Sequence, residues 1–211
     1  MSIQLYKPNS KNTGAAFTLS IGANKNSSLP AFYISAIAQH SWNDEKKIGS
    51  FAGNSKNPEK TVNVKISEFE CGEILSAFKN RHEYSTFHAY EGNTTTIKFS
   101  PWDKEVKVSK YDHESKGFKE TKQKVPAFGI SISKGKGNTF KIGIDPGEVE
   151  VLVKLIEKFI SEFISEKINV AKENYLKNKQ NSNSSPKQPA PNSKTEEAKE
   201  VEEDEYEDVP F

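Results

Sequence analysis

The fold of this chain is decided by residues 61–70, TVNVKISEFE, where a strand pattern gives way to the start of a helix. The first six residues of this stretch alternate polar and apolar side chains, which predicts a half-buried strand. The hydroxyl of Ser67 can accept a hydrogen bond from an early helical N–H, and the Glu70 carboxylate can reach back to the backbone of Ser67. This capping box predicts a helix over about 67–80.

The same pattern returns later in the chain. Residues 139–148, TFKIGIDPGE, repeat it at an offset of 78, and PAFYIS at 30–35 recurs as PAFGIS at 126–131, at an offset of 96. Short apolar strings can agree by coincidence, but here their order and the step from strand to helix cap agree as well. The sequence therefore predicts an α+β fold, built from a duplicated unit of antiparallel strands closed by a helix.

The remaining elements follow from the same periodicities. Residues 1–14 are expected to be irregular, and a long helix is expected from Pro146 to about residue 178, because apolar residues there recur every three or four positions. These boundaries predict a core over 1–177 with repeats at about 15–80 and 84–177, a disordered linker at 178–195 and an acidic tail at 196–211. Further strands are predicted at about 17–21, 32–38, 48–52, 84–91, 94–100, 104–111, 124–133 and 138–144.

Charge is divided unevenly along the chain. The 211 residues carry a formal net charge of +1, but residues 194–211 hold nine acids and two lysines, so they carry −7 and the rest carries +8. Arg81 is the only arginine, so 29 of the 30 basic residues are lysines. Lysine binds phosphate as a point charge, whereas arginine reads bases through paired hydrogen bonds. If the basic body meets nucleic acid, sequence-nonspecific contact is favoured.

Several classes of protein are excluded or disfavoured by composition. No apolar run approaches a membrane span and the N-terminus has no signal-like apolar segment, so no membrane partner is expected. With Cys71 as the only cysteine, no internal disulfide can form, and a cytoplasmic setting is expected, the host cytoplasm if the protein comes from a phage. The four histidines lack metal-ligand spacing and there is no phosphate loop, so no catalytic residue, metal or cofactor is predicted.

The acidic tail ends in Asp208-Val209-Pro210-Phe211. This end is similar to the tip of bacterial single-stranded DNA-binding proteins, which reads Asp-Ile-Pro-Phe. The resemblance implies that these four residues bind replication, repair and recombination proteins. It also implies that the acidic tail competes with DNA for the basic body.

The body resembles a different type of single-strand binder. Its duplicated strands-then-helix unit is similar to the Whirly proteins, and Lys134-Gly135-Lys136 resembles the Lys-Gly-Lys start of the Whirly signature, although Gly137-Asn138 follows in place of small apolar residues. The resemblance implies packed antiparallel sheets with helices behind them. An oligonucleotide-binding β-barrel is the alternative fold.

A nonspecific strand binder needs aromatic faces for bases and cations for phosphates. Tyr84, His88 and Tyr90 share one face of their strand, opposite Phe87 and Ala89, and we expect that shared face to be exposed. Each candidate taken alone also fits core packing or a solvated surface, so the prediction depends on the set. The candidates are Tyr33, Trp42, Lys46, Lys47, Phe51, Lys65, Tyr84, His88, Tyr90, Lys98, Trp102, Lys107, Lys134, Lys136 and Lys141.

The last helix offers a further surface. Its apolar residues Leu152, Ile156, Phe159 and Phe163 step by four, three and four, as in a helix–helix seam. They either fill the chain's own core or join a second copy in a homodimer. The predicted function is sequence-nonspecific single-stranded DNA binding in phage DNA replication and recombination. The alternatives are a protein–protein adaptor and an RNA-binding protein, neither of them an enzyme.

Overall fold

The structure is a computed structural model that describes residues 1–24, 27–90, 93–114, 116–135 and 137–183. Two compact units are distinguished, Met1–Lys172 and Glu173–Phe211. The first unit contains every strand described below and the first helix, together with the early turns of the second.

The first half of the chain forms a four-stranded antiparallel sheet that is closed by a helix. The strand order is β1-β2-β3-β6, and a short β4–β5 hairpin lies between β3 and β6 in the chain. The elements are β1 (Ser2–Lys7), β2 (Ala15–Asn24), β3 (Ser27–Ala38), β4 (Ser41–Asn43), β5 (Ile48–Ser50), a 3-10 turn (Ala52–Asn54), β6 (Thr61–Ile66) and α1 (Glu68–Asn80). The prediction that residues 1–14 are irregular is wrong for Ser2–Lys7, which form strand β1.

The second half repeats this plan. Its sheet has the order β7-β8-β9-β10, and a helix follows the last strand. The elements are β7 (Tyr84–Tyr90), β8 (Asn93–Asp112), β9 (Gly117–Lys134), β10 (Asn138–Ile144) and α2 (Pro146–Asn183). The repeated strings fall on the third and fourth strands of both sheets, so the predicted duplicated α+β fold is confirmed. The sheets of the described residues are open, and the alternative of a closed barrel is wrong.

Both helices start where the capping boxes predicted. Ser67 accepts a hydrogen bond from the Glu70 N–H at 3.2 Å, and the Glu70 carboxylate accepts one from the Ser67 N–H at 2.9 Å. At the second helix, the Glu148 carboxylate accepts a hydrogen bond from the Asp145 N–H at 2.8 Å. Such caps satisfy helix N–H groups that would otherwise lack partners.

The core lies between the sheets and the helices. Phe32 of β3 packs against Phe159 of α2 with ring centroids 5.5 Å apart, and Phe78 of α1 packs edge-on against Phe128 of β9 at 4.9 Å. Each sheet therefore buries one face and leaves the other, which we call its outer face, turned away from the helices. Burying one large apolar side chain stabilises the folded state by about 1.5–3 kcal/mol. Turning a strand over would expose several such side chains, so each strand keeps its apolar side toward the core.

The early turns of α2 belong to this core. Leu152, Ile156 and Phe159 are buried within the chain, so the intramolecular alternative holds for these positions of the predicted seam. Further along the same unit Ile164 and Ile168 remain exposed. No helix among the described residues has an apolar stretch long enough to cross a membrane.

Strands β8 and β9 are much longer than their neighbours. Strand β7 pairs with β8 only as far as Phe99, and β10 pairs with β9 only from Phe128. Beyond the sheet, Asp103–Asp112 pairs with Gly117–Pro126 alone. We call this two-stranded ribbon, residues 103–126, the arm. The sequence predicted strands at 104–111 and 124–133 but not their continuous pairing.

Candidate nucleic-acid interface

The outer face of the second sheet gathers three of the predicted site residues. Lys98 of β8 and Lys141 of β10 lie on either side of Ser131 in one cross-strand row. Trp102 lies two rows further along β8, at the base of the arm. Together they line a shallow depression of about 530 Å³, whose floor is formed by residues of β9 and β10.

Two glycines shape the floor of this depression. Gly129 and Gly143 pair across β9 and β10, in the row between the lysines and Trp102. A Cβ atom at Gly143 would lie 3.4 Å from Cζ2 of Trp102, so the indole lies across that strand and any larger side chain would push it away. The indole remains 45% exposed. The Trp102 ring is therefore held against the sheet on one side, and its exposed part is open to a ligand.

The two lysines differ in their partners. Lys98 forms an ion pair with Glu83 at 2.7 Å, and hydrogen bonding from Lys98 lowers the pKa of the exposed Glu83 carboxyl. Lys141 forms no ion pair with any described residue and is exposed. A phosphate can bind Lys141 directly, but it must displace Glu83 to bind Lys98.

The outer face of the first sheet carries a similar arrangement. Tyr33 of β3 lies directly opposite Lys65 of β6. The Tyr33 ring lies beside Gly22, where a Cβ atom would be 3.5 Å away, and its hydroxyl donates a hydrogen bond to the Ala23 carbonyl at 3.3 Å. Here too an aromatic ring rests over a glycine next to a lysine.

Further aromatic residues lie at the other end of this face. Tyr6 of β1 is 57% exposed and its ring lies 5.9 Å from that of Phe51. The sequence reasoning missed Tyr6 because it took residues 1–14 as irregular. The alternation of Tyr6 with buried Leu5 was the available signal.

The other predicted residues of this region lie in the β4–β5 hairpin and at the end of β9. Trp42 is half-buried and donates a hydrogen bond from Nε1 to Asp44 at 3.0 Å. Lys46 and Lys47 are exposed in the hairpin turn. Lys134 donates a hydrogen bond to the Pro58 carbonyl at 3.0 Å, which fixes it beside the loop before β6.

The predicted facing of β7 is wrong. His88 Nε2 lies 2.7 Å from Glu70 Oε1 on α1, and Tyr84 packs against the core, while Phe87 is 71% exposed on the outer face. Alternation separates the two faces of a strand but does not say which of them a helix covers. The signal that was missed is the neighbouring carboxylate Glu70, which α1 brings to β7.

Glu70 joins the helix cap to this strand. Partial burial raises the pKa of its carboxyl, but hydrogen bonds from the Ser67 backbone, His88, Thr86 and the Ser67 hydroxyl outweigh this and lower it. Tyr84 and His88 therefore serve the packing of α1 on β7.

The remaining predicted residues fall elsewhere. Lys107 lies on the arm, 3.2 Å from Glu120. The side chain of Tyr90, the whole of Lys136 and the tip Asp208–Phe211 lie outside the described residues. Within the described ranges, no three metal-ligating side chains come together.

Comparisons with known proteins bear on the fold. No protein-family model matches the chain, and no curated protein matches it. The crystal structure of WHY1 from Arabidopsis thaliana is similar at a TM-score of 0.50 and 14% identity, covering 83% of this chain and 93% of that one. WHY3 from the same plant gives 0.49 at 14% identity, covering 83% and 96%, and the plant transcriptional regulator PBF-2 gives 0.46 at 15%, covering 82% and 86%. The likeness to WHY1 shows a Whirly-like fold.

Proposed function

We propose that this chain binds single-stranded DNA without sequence preference and acts in DNA replication or recombination, in the cytoplasm of a cell or of a phage-infected host. The observation that carries the proposal is the outer face of the second sheet, where Lys98 and Lys141 line the same depression as the exposed ring of Trp102. Bases stack on the indole and phosphates bind the ammonium groups. Lysine-dominated contact accounts for a lack of sequence preference, since lysine binds phosphate as a point charge and base stacking is tolerant of sequence.

The first sheet supports the same proposal. Tyr33 and Lys65 place a ring and a cation side by side on its outer face. A single strand that reaches both sheets would gain two separate stacking positions. Because many of the contacts are ionic, affinity is expected to fall as the salt concentration rises, since releasing counterions into a more concentrated salt solution gains less free energy.

Two finer proposals extend this function. The acidic segment 196–211 recruits replication, repair and recombination proteins through Asp208–Phe211, and it competes with DNA for the basic body at low salt. A second copy of the chain joins through α2, where Ile164 and Ile168 are exposed. Removing 196–211 is then expected to raise DNA affinity at low salt and to abolish partner binding; unchanged affinity would contradict the competition.

The central experiment is fluorescence anisotropy with labelled oligo-dT, a duplex and an RNA of equal length, each at two salt concentrations. Tight, salt-sensitive binding to oligo-dT with little binding to the duplex supports the proposal. Equal binding to RNA would assign the protein to the RNA-binding alternative. No binding to any of the three, with or without 196–211, would overturn the proposal and favour the adaptor alternative.

The residue-level control is a pair of variants. Trp102→Ala removes the stacking face, whereas Phe69→Ala removes an aromatic ring that is 80% exposed on α1, a helix that packs on the side of the sheets opposite the outer faces. Weaker binding by the first variant and unchanged binding by the second places the DNA on the outer face.

A further inference from the structure

The arm extends beyond the second sheet, and among the described residues no other strand pairs with either of its edges. Its strands pair only with each other from the Asp103–Pro126 pair to the Asp112–Gly117 pair. At about 3.3 Å per residue, the ribbon is about 33 Å long. An isolated two-stranded ribbon is only marginally stable in water, so its length is not explained by stabilisation of the fold.

Aromatic side chains cluster at the tip of the arm. The Tyr111 ring lies 5.6 Å from Phe118 across the ribbon and 5.1 Å from His113 in the turn, both at steep angles. Phe118 is nevertheless 77% exposed and Tyr111 is 49% exposed. An apolar cluster left in water on a surface projection is typical of a binding site.

The charge of the arm favours a polyanion over a protein strand. Residues 103–126 contain seven lysines and five acids. Two ion pairs, Lys107 with Glu120 at 3.2 Å and Lys122 with Glu105 at 3.3 Å, neutralise two of the five acids. They lie on the face of the ribbon that carries Tyr111 and Phe118. Lys110 and Lys119 form a cross-strand pair of like charge next to the Tyr111–Phe118 pair, on the opposite face of the ribbon from the two rings. Lysines spread along an open ribbon also oppose its pairing with another strand.

The arm begins at the depression on the outer face of the second sheet. Trp102 and Ala127 form the last pair before it, and Lys104, the next residue on the same face of β8, bonds Asp145 through Nζ at 2.7 Å. A strand of DNA leaving Trp102 therefore meets the Lys104 face of the arm. Tyr111 lies an odd number of residues along β8 from Trp102, so Tyr111 and its cross-strand partner are on the opposite face of the ribbon, and the strand reaches them around its edge or tip.

We propose that the arm is a second single-stranded DNA contact, in which the rings of Tyr111 and Phe118 stack with bases while the neighbouring lysines bind phosphates. This inference rests on the proposed function and extends the DNA-binding site from the outer face of the second sheet onto the arm. A single strand stacked at the duplex rise of about 3.4 Å per nucleotide would place about ten nucleotides along the arm, and a more extended strand would place fewer. A short oligonucleotide occupies the outer face alone, and a longer one reaches the tip.

The test uses the full chain and compares Tyr111→Ala/Phe118→Ala with Phe69→Ala, a matched variant with an exposed ring on α1. Affinity is measured for oligo-dT of about 8 and about 30 nucleotides, lengths that bracket a single site and an extended one. We expect the arm variant to bind the short oligonucleotide as the wild type does, and the long one about tenfold more weakly. The Phe69 variant should match the wild type on both.

A second measurement does not depend on any substitution. The wild-type chain is photo-crosslinked to a long oligonucleotide carrying 5-iododeoxyuridine, and the modified residues are identified by mass spectrometry. Adducts at Tyr111, His113 or Phe118 support the inference. Adducts at Trp102 without any at the tip, or equal affinity of the arm variant for the long oligonucleotide, overturn the arm contact and leave the proposed function standing. Absence of any binding by the wild type would instead refute the proposed function itself.

Discussion

Replacing Lys141 and Lys98 by alanine tests the outer face of the second sheet most directly. Each lysine that binds a phosphate of a single strand contributes about 0.7 to the slope of log affinity against log salt. The double variant should therefore lose about 1.4 of that slope. Between about 50 and 200 mM salt its affinity should fall about sevenfold less than that of the wild type.

The single variants should also differ. Lys141 has no ion pair with a described residue, whereas Lys98 must exchange Glu83 for a phosphate. We therefore expect Lys141→Ala to weaken oligo-dT binding at low salt more than Lys98→Ala does. The exposed ion pair of Lys98 contributes little to stability, so neither variant should unfold.

The assay is fluorescence anisotropy with oligo-dT over a series of salt concentrations, together with thermal melts. Lys79→Ala is the matched control, since Lys79 is exposed on α1, away from the outer face. A salt slope equal to that of the wild type in the double variant, with both proteins folded, would refute the assignment of these lysines to phosphate contact. So would an equal loss of slope in the Lys79 variant, because it would indicate that only net charge matters.

Three further predictions concern single side chains. Trp102→Ala should weaken oligo-dT binding by about 1–3 kcal/mol, the contribution of one stacked base, and should leave no tryptophan quenching by DNA beyond that of Trp42. Glu70→Gln should cost about 1–2 kcal/mol of stability at neutral pH, measured by urea unfolding, since it removes the charge that several donors bind. Because the folded state lowers the pKa of Glu70, the stabilisation is present above its ordinary value near 4.5 and is lost as the pH falls, so the two proteins should converge in acid; parallel curves would contradict this. The Cys71 thiol is fully buried, and burial with nearby Glu70 and Glu68 raises its pKa, so a thiol reagent at pH 8 should modify it only after unfolding.

The two outer faces reach similar chemistry from different strands. In the first sheet the ring belongs to the third strand, at Tyr33, and rests on a glycine of the second. In the second sheet the ring belongs to the second strand, at Trp102, and rests on Gly143 of the fourth. Both sheets therefore place an aromatic ring over a glycine near a lysine, but the ring and the glycine come from different strands in the two sheets.

The candidate site was only partly predictable from the sequence, because part of it depends on which strands become neighbours. Lys98, Lys141, Tyr33 and Lys65 were identified because each alternates with core residues on its own strand, and Trp102 because it stands in a polar, turn-like stretch, Pro-Trp-Asp-Lys. Gly143 was overlooked, since a glycine has no side chain to mark it, and its role depends on a neighbouring strand bringing Trp102 across it. Phe87 was assigned to the core and Tyr84 and His88 to the surface, the reverse of their positions in the structure.

By itself the sequence determined the repeated units, both helix starts and the spacing of the buried faces, because these depend on neighbours within a few positions. The capping box at Ser67 and the apolar alternation of β6 are local in this sense. The tertiary structure alone decided which face of β7 meets α1, which strands extend into the arm and which rings are left in water. These depend on contacts between residues far apart in the chain, such as Glu70 with His88 and Phe32 with Phe159, and no local pattern encodes such contacts.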